Sequence, residues 1–480
     1  MNRRGIWIGA ALVWVTSGAP SAWATPPEAA PNLLLISIDT LRRDHCSVYA
    51  YDHDTTPHLR KIAERGARFD LAYAPAPSTA PTHASILTGL YPPSHGLIRN
   101  GVELSASNRT LAEILAAAGY QTAAVVSSFV LDAQFGFDQG FAHYDDDFAA
   151  SESAVQFDTW EGHAVPSTGF DRPANAATRQ AMRWLWEKRD PQRPFFLFVH
   201  YFDPHAPYRA PPPYDRRFPS PGPEPGAGPP GSFEFGEAVR NYDGEIAFTD
   251  HEIGRLLEAL EHLGLADDTL LVVTADHGEG LMDHGHMAHG LSLHEELVRV
   301  PLLLRWPGKI LPGRSYTEPV ELVDIAPTVV ELLDLPTGTP AANQLQASGL
   351  QASRFQGRSL AAWLRGKGSP EAKPPVRPVF LFRRHFAADF VEGIRVKGAL
   401  SGIRLGKWKL IEATDPPRRE LYDLESDPRE RVNRLHDQPE VAARLADALA
   451  THRRGQPSTG TAPTLPDRVR RALRALGYTE

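Results

Sequence analysis

Acids and histidines gather at two places in this chain where an apolar run stops. Asp39 closes the run Leu33-Leu34-Leu35-Ile36-Ser37-Ile38, and Asp276-His277-Gly278-Glu279 follows Leu270–Ala275. Asp283-His284-Gly285-His286 and His289 come shortly afterwards. Carboxylates suit a hard divalent cation, and an imidazole can join them when the metal is borderline. Asp39, Asp276 and His277 are therefore candidate ligands of one ion. A second group is rich in hydroxyls: Ser78-Thr79-Ala80-Pro81-Thr82-His83-Ala84-Ser85. Pro81 sets a bend, after which a helix is predicted over Thr82–Leu87. A hydroxyl just ahead of a helix N-terminus sits where N–H groups and the helix dipole favour negative charge. That suits an alkoxide nucleophile and a bound oxyanion, but it is also the place of an ordinary N-cap.

These groups need a scaffold that brings them together. The run Pro31–Asp39 reads as a strand buried on both faces, and Thr122–Val126, Phe195–His200, Leu270–Asp276 and Val300–Arg305 read alike. Helical periodicity separates them at His58–Gly66, Leu111–Ala118, Asn175–Glu187 and Glu245–Leu263. The alternation predicts an α/β fold around a large, mostly parallel sheet, with its site beyond the carboxyl ends of the strands. Asp39, His200 and Asp276 all lie at such ends. The Pro/Gly-dense stretch Pro211–Gly231 reads as a surface loop, and Thr337–Gln356 as a second irregular stretch after a helix at Glu321–Leu333. Beyond residue 357 a smaller C-terminal α+β subdomain is expected. Val379–Phe382 and Lys407–Glu412 would be its strands, with terminal helices at Glu440–His452 and Pro466–Leu476.

The composition narrows the class. The chain has 480 residues, 42% hydrophobic and 22% charged, as in an ordinary soluble protein with a large core. A net charge of −8 argues against nucleic acid as a partner, because phosphate backbones attract basic faces. Arg3 and Arg4 precede an apolar run over Gly5–Val15, and Ala22-Trp23-Ala24 supplies a small-x-small cleavage pattern. Residues 1–24 therefore read as a signal peptide, giving a periplasmic or secreted protein. The run falls short of the roughly 20 residues a spanning helix needs, and no stable membrane span is expected. Cys46 is the single cysteine, so no internal disulfide can form and a structural thiol is expected.

The segment Thr79-Ala80-Pro81-Thr82-His83-Ala84-Ser85-Ile86-Leu87-Thr88-Gly89 resembles the signature of the sulfatase family, within the alkaline-phosphatase superfamily. The same family is resembled, in order, by Pro31–Arg42, by His200-Tyr201-Phe202-Asp203-Pro204-His205, by Thr274–Glu279, by Val300-Pro301-Leu302 and by Glu420–Leu424. The resemblance implies an alkaline-phosphatase-like sandwich over residues 31–356. It implies one divalent metal ion on Asp39, Asp276 and His277, with calcium or manganese favoured and zinc or a second ion as alternatives. Asp203, His205, Asp243, His284 and His286 are the groups available for a second ion. Thr79 falls at the nucleophile position, and His83, Asn100, His205 and His289 at positions that meet the substrate. By the same resemblance Asn100 binds an oxyanion, and His289 stands where related enzymes often carry lysine.

Two positions depart from the family pattern. Threonine cannot be oxidised to the formylglycine aldehyde that sulfatases make from cysteine or serine, and the signature arginine is replaced by His83. Threonine nucleophiles do occur elsewhere in the superfamily. Three readings follow: a sulfate or phosphate ester hydrolase with Thr79 as nucleophile, a phosphodiesterase or phosphonate monoester hydrolase, and a catalytically silent binding protein. The expected partner is a small-molecule or glycan ester.

Overall fold

A computed structural model describes residues 30–148, 171–220, 232–335, 355–366, 376–391 and 394–456, with residues 465, 469, 470 and 473. The expected signal peptide lies outside the described residues, as do residues 221–231 of the Pro/Gly loop, almost all of Thr337–Gln356 and most of Pro466–Leu476.

The apolar runs form the middle of a nine-stranded sheet. In chain order its strands are β1 (Asn32–Ile38), β2 (Ala67–Tyr73), β3 (Gln121–Val125), β4 (His143–Asp145), β5 (Phe195–Tyr201) and β6 (Thr269–Ala275). A short hairpin, β7 (Gly280–Leu281) with β8 (Met287–Ala288), precedes β9 (Arg299–Arg305), β10 (Arg314–Tyr316) and β11 (Val320–Glu321). The spatial order is β10-β2-β9-β6-β1-β5-β3-β4, with β11 also on β2. Every pairing in this sheet is parallel except those of β9, which is antiparallel to both β2 and β6. β1, β5 and β6 are buried at every residue, which is why they read as continuous apolar runs rather than alternating ones. The expected large, mostly parallel sheet is thus present. Two features were not foreseen: the strand β2, whose mixed sequence Ala-Arg-Phe-Asp-Leu-Ala-Tyr gives no such run, and the reversed sense of β9.

Register places the site. Ile38 pairs with Tyr201 of β5 on one side and Ala275 of β6 on the other, so Asp39 and Asp276 leave the sheet side by side. Helices cover the faces, among them Ala174–Arg183 and the long helix Ser232–His262, whose predicted start at Glu245 was too late. Asp250 of the long helix reaches across to the start of the helix Pro57–Glu64. Its Oδ1 accepts from the Leu59 N–H and its Oδ2 from the His58 N–H, each at 2.9 Å. It thereby supplies the N-cap that Thr56 does not.

The C-terminal subdomain is an antiparallel sheet of β12 (Val379–Val391), β13 (Ile394–Leu405), β14 (Trp408–Thr414) and β15 (Pro417–Asp423). The helix Pro439–Arg454 packs Leu445 and Leu449 against Ile403, Leu410 and Leu421 on one face. The other face carries Val379, Leu381, Leu400 and Ile411 onto Tyr73, Leu293 and Leu297 of the main domain. At this junction the buried Lys409 ammonium lies 3.0 Å from both Glu295 and Glu430. Residues 357–366, assigned by sequence to the C-terminal side, put Leu360, Ala361 and Leu364 into the main core.

Asp250→Ala should lower the urea midpoint by an amount equivalent to about 2 kcal/mol, since two buried backbone donors lose a charged acceptor. Asp250 also accepts from His58 Nδ1 at 2.9 Å, and this bond raises the His58 pKa. A raised folded-state pKa means that this share of the loss is fully present below about pH 6.5 and fades as pH rises through the His58 value. Urea titrations of both proteins across that range would check it.

Candidate active site

Asp39, Thr79, Asp276 and His277 meet with no solvent exposure at the carboxyl edge of β1 and β6. His277 Nε2 lies 3.5 Å from Asp39 Oδ1, 3.4 Å from Asp276 Oδ2 and 3.2 Å from Thr79 Oγ1. Its other nitrogen, Nδ1, faces the Gly278 carbonyl at 2.9 Å and must donate to it. The Nε2 lone pair is therefore presented to the cluster. Gly278 is obligatory for this turn, because a Cβ there would stand 1.9 Å from the Glu296 carbonyl oxygen.

Both oxygens of Asp39 and Oδ2 of Asp276 are buried and find no hydrogen-bond partner among the described residues. Burial, followed by the Asp276 charge, raises the Asp39 pKa well above the usual carboxylate range; burial also lifts Asp276 to about 6. Two carboxylates and an imidazole offer one ligand atom each within 4.8 Å of one another. Orphaned acceptors, a lone pair and mutual repulsion together fit a divalent cation.

The backbone is bent to make this arrangement. Thr40, a β-branched residue, has φ of 54°, a conformation that costs roughly 1–3 kcal/mol. The bend aims the Thr40 N–H at Asp276 Oδ1, 3.3 Å away, while the Thr40 carbonyl accepts from the Tyr242 hydroxyl at 2.7 Å. Arg42, buried two residues further on, donates to Asp44, Asp283 and the Glu279 carbonyl, tying this turn to the loop after β6. Cys46 is buried with its thiol on the Arg42 carbonyl, a structural role as expected.

Thr79 is the first residue of a fully buried helix, Thr79–Thr88, that starts three residues earlier than predicted. Pro81 is tolerated because N–H groups of the first turn have no partner within the helix. Ser78 makes no side-chain cap. Asn100 does so instead, its Oδ1 accepting from the Ala80 N–H at 2.9 Å and from the Ser78 hydroxyl at 3.3 Å.

The structure brings the other predicted residues close, with one change of role. His289 is held by Glu279 at 3.1 Å; its ring lies 4.4 Å from that of His277 and 5.0 Å from that of His205. His205 donates Nδ1–H to the Ala206 carbonyl and stacks on Phe202. Desolvation holds both His205 and His289 neutral, with pKa values of about 3. His83 was expected to meet substrate, but both its ring nitrogens are engaged in the scaffold. Nδ1 donates to the Thr79 carbonyl at 2.8 Å and Nε2 accepts from Ser37 Oγ at 2.9 Å. It fixes the nucleophile helix to β1.

His200 was noted at a strand end but given no role. Its Nδ1 accepts from the Ser127 N–H, leaving Nε2–H 3.5 Å from Asp39 Oδ2. His200 thus turns an N–H toward Asp39, while the one N–H of His83 is spent on the Thr79 carbonyl. Of the groups considered for a second ion, Asp243 is held by His45, Tyr51 and His53, and His284 pairs with Glu296. Glu279, Tyr242 and Arg42 also support the site; Glu279 and Arg42 lay inside noted motifs without a role, and nothing local pointed to Tyr242.

Known proteins resemble this chain over most of its length. The family profile described as Sulfatase matches residues 31–335, and one described as N-sulphoglucosamine sulphohydrolase, C-terminal, matches 283–455. An arylsulfatase of Clostridium perfringens is 29% identical over 360 residues, covering 63% of this chain and 74% of its own. A structure solved with its substrate D-glucosamine-2-N,6-O-disulfate aligns with a TM-score of 0.71 at 23% identity, over 88% of this chain and 98% of its own. The phosphonate monoester hydrolase of Agrobacterium radiobacter aligns at 0.68 with 24% identity, over 88% and 95%.

Manganese or calcium in hundredfold excess over Kd should stabilise the wild type by about 2.7 kcal/mol. Asp39→Asn should lose that gain in a thermal melt. Without cation it should melt no lower than the wild type, because one of two repelling charges is gone. A cation-dependent rise of equal size in both proteins would remove Asp39 from the ligand set.

Proposed function

Because the chain belongs to the sulfatase family, we propose that it hydrolyses a sulfate or phosphate ester with Thr79 as the nucleophile. The observation that carries this reading is the Thr79 hydroxyl, 3.2 Å from the His277 Nε2 lone pair at the first turn of a buried helix. A divalent cation on Asp39, Asp276 and His277 would lower the pKa of that hydroxyl and offset the charge of the ester oxygens.

The chain's own groups do the rest. The Thr79 oxygen attacks sulfur or phosphorus in line, a bond to the threonine forms, and the ester's bond to its alcohol breaks. Asn100 is oriented by the Ala80 N–H, so its amide can meet an equatorial oxygen beside the helix N-terminus. His205 and His289 stand together on the other side, where an entering anion favours their charged forms and a proton can pass to the departing alcohol. Water then attacks the sulfated or phosphorylated threonine, regenerating the hydroxyl and releasing the inorganic anion. The burial of Thr79, Asp39, Asp276 and His277 excludes bulk water from the attack and strengthens each charge interaction.

The sulfate reading draws support from the arylsulfatase relative. A phosphonate or phosphate monoester is the second reading, favoured by a residue that cannot yield the formylglycine aldehyde and by the fold likeness to a phosphonate monoester hydrolase. The pattern of Arg3, Arg4 and Ala22-Trp23-Ala24 supports an exported enzyme.

Purified protein, stripped of metal and resupplied with calcium, manganese or zinc, should turn over one of aryl sulfate, phosphate monoester, phosphodiester or phosphonate. Thr79→Ala should lower kcat by about 10³-fold or more. Peptide mass spectrometry after a substrate pulse should find the sulfuryl or phosphoryl adduct on Thr79. Turnover that survives Thr79→Ala would sink the nucleophile assignment, and no turnover with any metal would turn attention to the silent binding protein.

A further inference from the structure

Against His205 lies a second feature that the proposed hydrolysis does not use. The loop after β5, the approach to the helix Ala174–Arg183 and the long helix Ser232–His262 enclose a cavity of about 140 Å³. On the same measure one water needs only about 10–15 Å³. Asp171, Asp203 and Glu245 line it, and so do the rings of Phe202 and Phe248. Arg209 is the cationic residue in its wall, so three carboxylates face one guanidinium.

Glu245 is 3% exposed, with Oε1 on the Arg209 N–H and Oε2 buried without any hydrogen-bond partner among the described residues. Asn175 Oδ1, another wall atom, is buried and unpartnered as well. Asp203 spends one oxygen on the Ala174 N–H. An unpaired buried acceptor is costly, and a cavity that gathers several of them calls for a donor or a positive charge.

The spacing discriminates between two kinds of cation. Asp171, Asp203 and Glu245 do not bring one oxygen each within 4.8 Å of one another. They are too far apart to share a bare ion at oxygen distances of about 2.4 Å. Separated carboxylates set among aromatic rings instead suit a larger organic cation, whose positive charge attracts ring faces as well as acids.

We propose that this pocket binds an organic ammonium group carried on the alcohol portion of the ester substrate. His205 is the wall shared by the two compartments, so an ester seated against His205 and His289 directs its alcohol portion along that wall. Burial raises Asp203 to about 7 and Asp171 to about 6, and lifts Glu245 well above the usual range. The substrate part of the proposal rests on the hydrolase reading above; the binding part does not.

Two measurements separate these parts. In calorimetry at matched ionic strength, tetramethylammonium chloride should give saturable binding that sodium chloride does not. Glu245→Gln and Asp203→Asn, both isosteric, should each weaken it by about tenfold or more. Absence of saturable binding to the wild type, or binding unchanged in both variants, would overturn the pocket. For turnover, the 2-(trimethylammonio)ethyl ester is compared with its neutral isostere, the 3,3-dimethylbutyl ester. The wild type should prefer the cationic ester in kcat/KM, and that ratio should fall about tenfold in Glu245→Gln. Equal kcat/KM for the two esters would overturn the substrate assignment. Turnover of neither would also overturn the substrate assignment, with calorimetry then deciding the pocket.

Discussion

Asp39 and Asp276 are two carboxylates placed side by side, out of water, with three of their four oxygens lacking a hydrogen bond. Burial and mutual repulsion both oppose this, and the pair persists because the sheet leaves it no alternative. Ile38 is locked between Tyr201 and Ala275, so the two strands release their acids at one height. A divalent cation is the species that turns this repulsion into attraction. Much of the surrounding structure can be understood as holding the pair ready for it. Thr40 is bent into the left-handed region, Tyr242 holds the bent carbonyl, and His200 turns an N–H toward Asp39.

The proposed nucleophile depends on the same constraint. Thr79 is tied to β1 through His83 and Ser37, and to the acid loop through His277. The helix that carries it is buried along its whole length and is capped from outside by Asn100. In the proposed reaction Asn100 has two tasks, because the carbonyl that satisfies the helix start also orients the amide beside it. Such sharing explains why a turn sequence as common as Asn100-Gly101 can matter here.

Much of this was legible in the sequence because burial leaves a plain trace. Strands covered on both faces must be apolar throughout, so β1, β5 and β6 were visible, and the acids that end them stood out by contrast. Short local motifs singled out the candidate ligands Asp39 and Asp276 together with Thr79, Asn100, His205 and His289. What escaped were residues whose role depends on distant partners. β2 carries arginine and aspartate because Arg68 and Asp70 pair with each other at a half-buried face, which breaks the apolar pattern. Tyr242 lies two hundred residues from Arg42, and no local spacing links them. His83 was misjudged because position in a motif does not reveal that a backbone carbonyl and Ser37 occupy its two nitrogens. The helix start was placed late because Pro81 was taken as a boundary, whereas a first turn has room for it.

The reversed strand β9 has its own consequence. A parallel neighbour of β6 would require the chain to return to the opposite edge of the sheet before re-entering. Because β9 runs antiparallel to β6, the segment from Asp276 to Val298 leaves and re-enters at the same edge, between adjacent strands. Such an excursion can lengthen at a cost that grows only with the logarithm of its length, about 0.6 kcal/mol per doubling. His289, the Glu295–Lys409 contact and the β7–β8 hairpin all lie on it. The architecture therefore holds the metal ligands at a fixed anchorage while leaving the span beyond them open to variation, so new alcohol groups could be accommodated without disturbing the sheet.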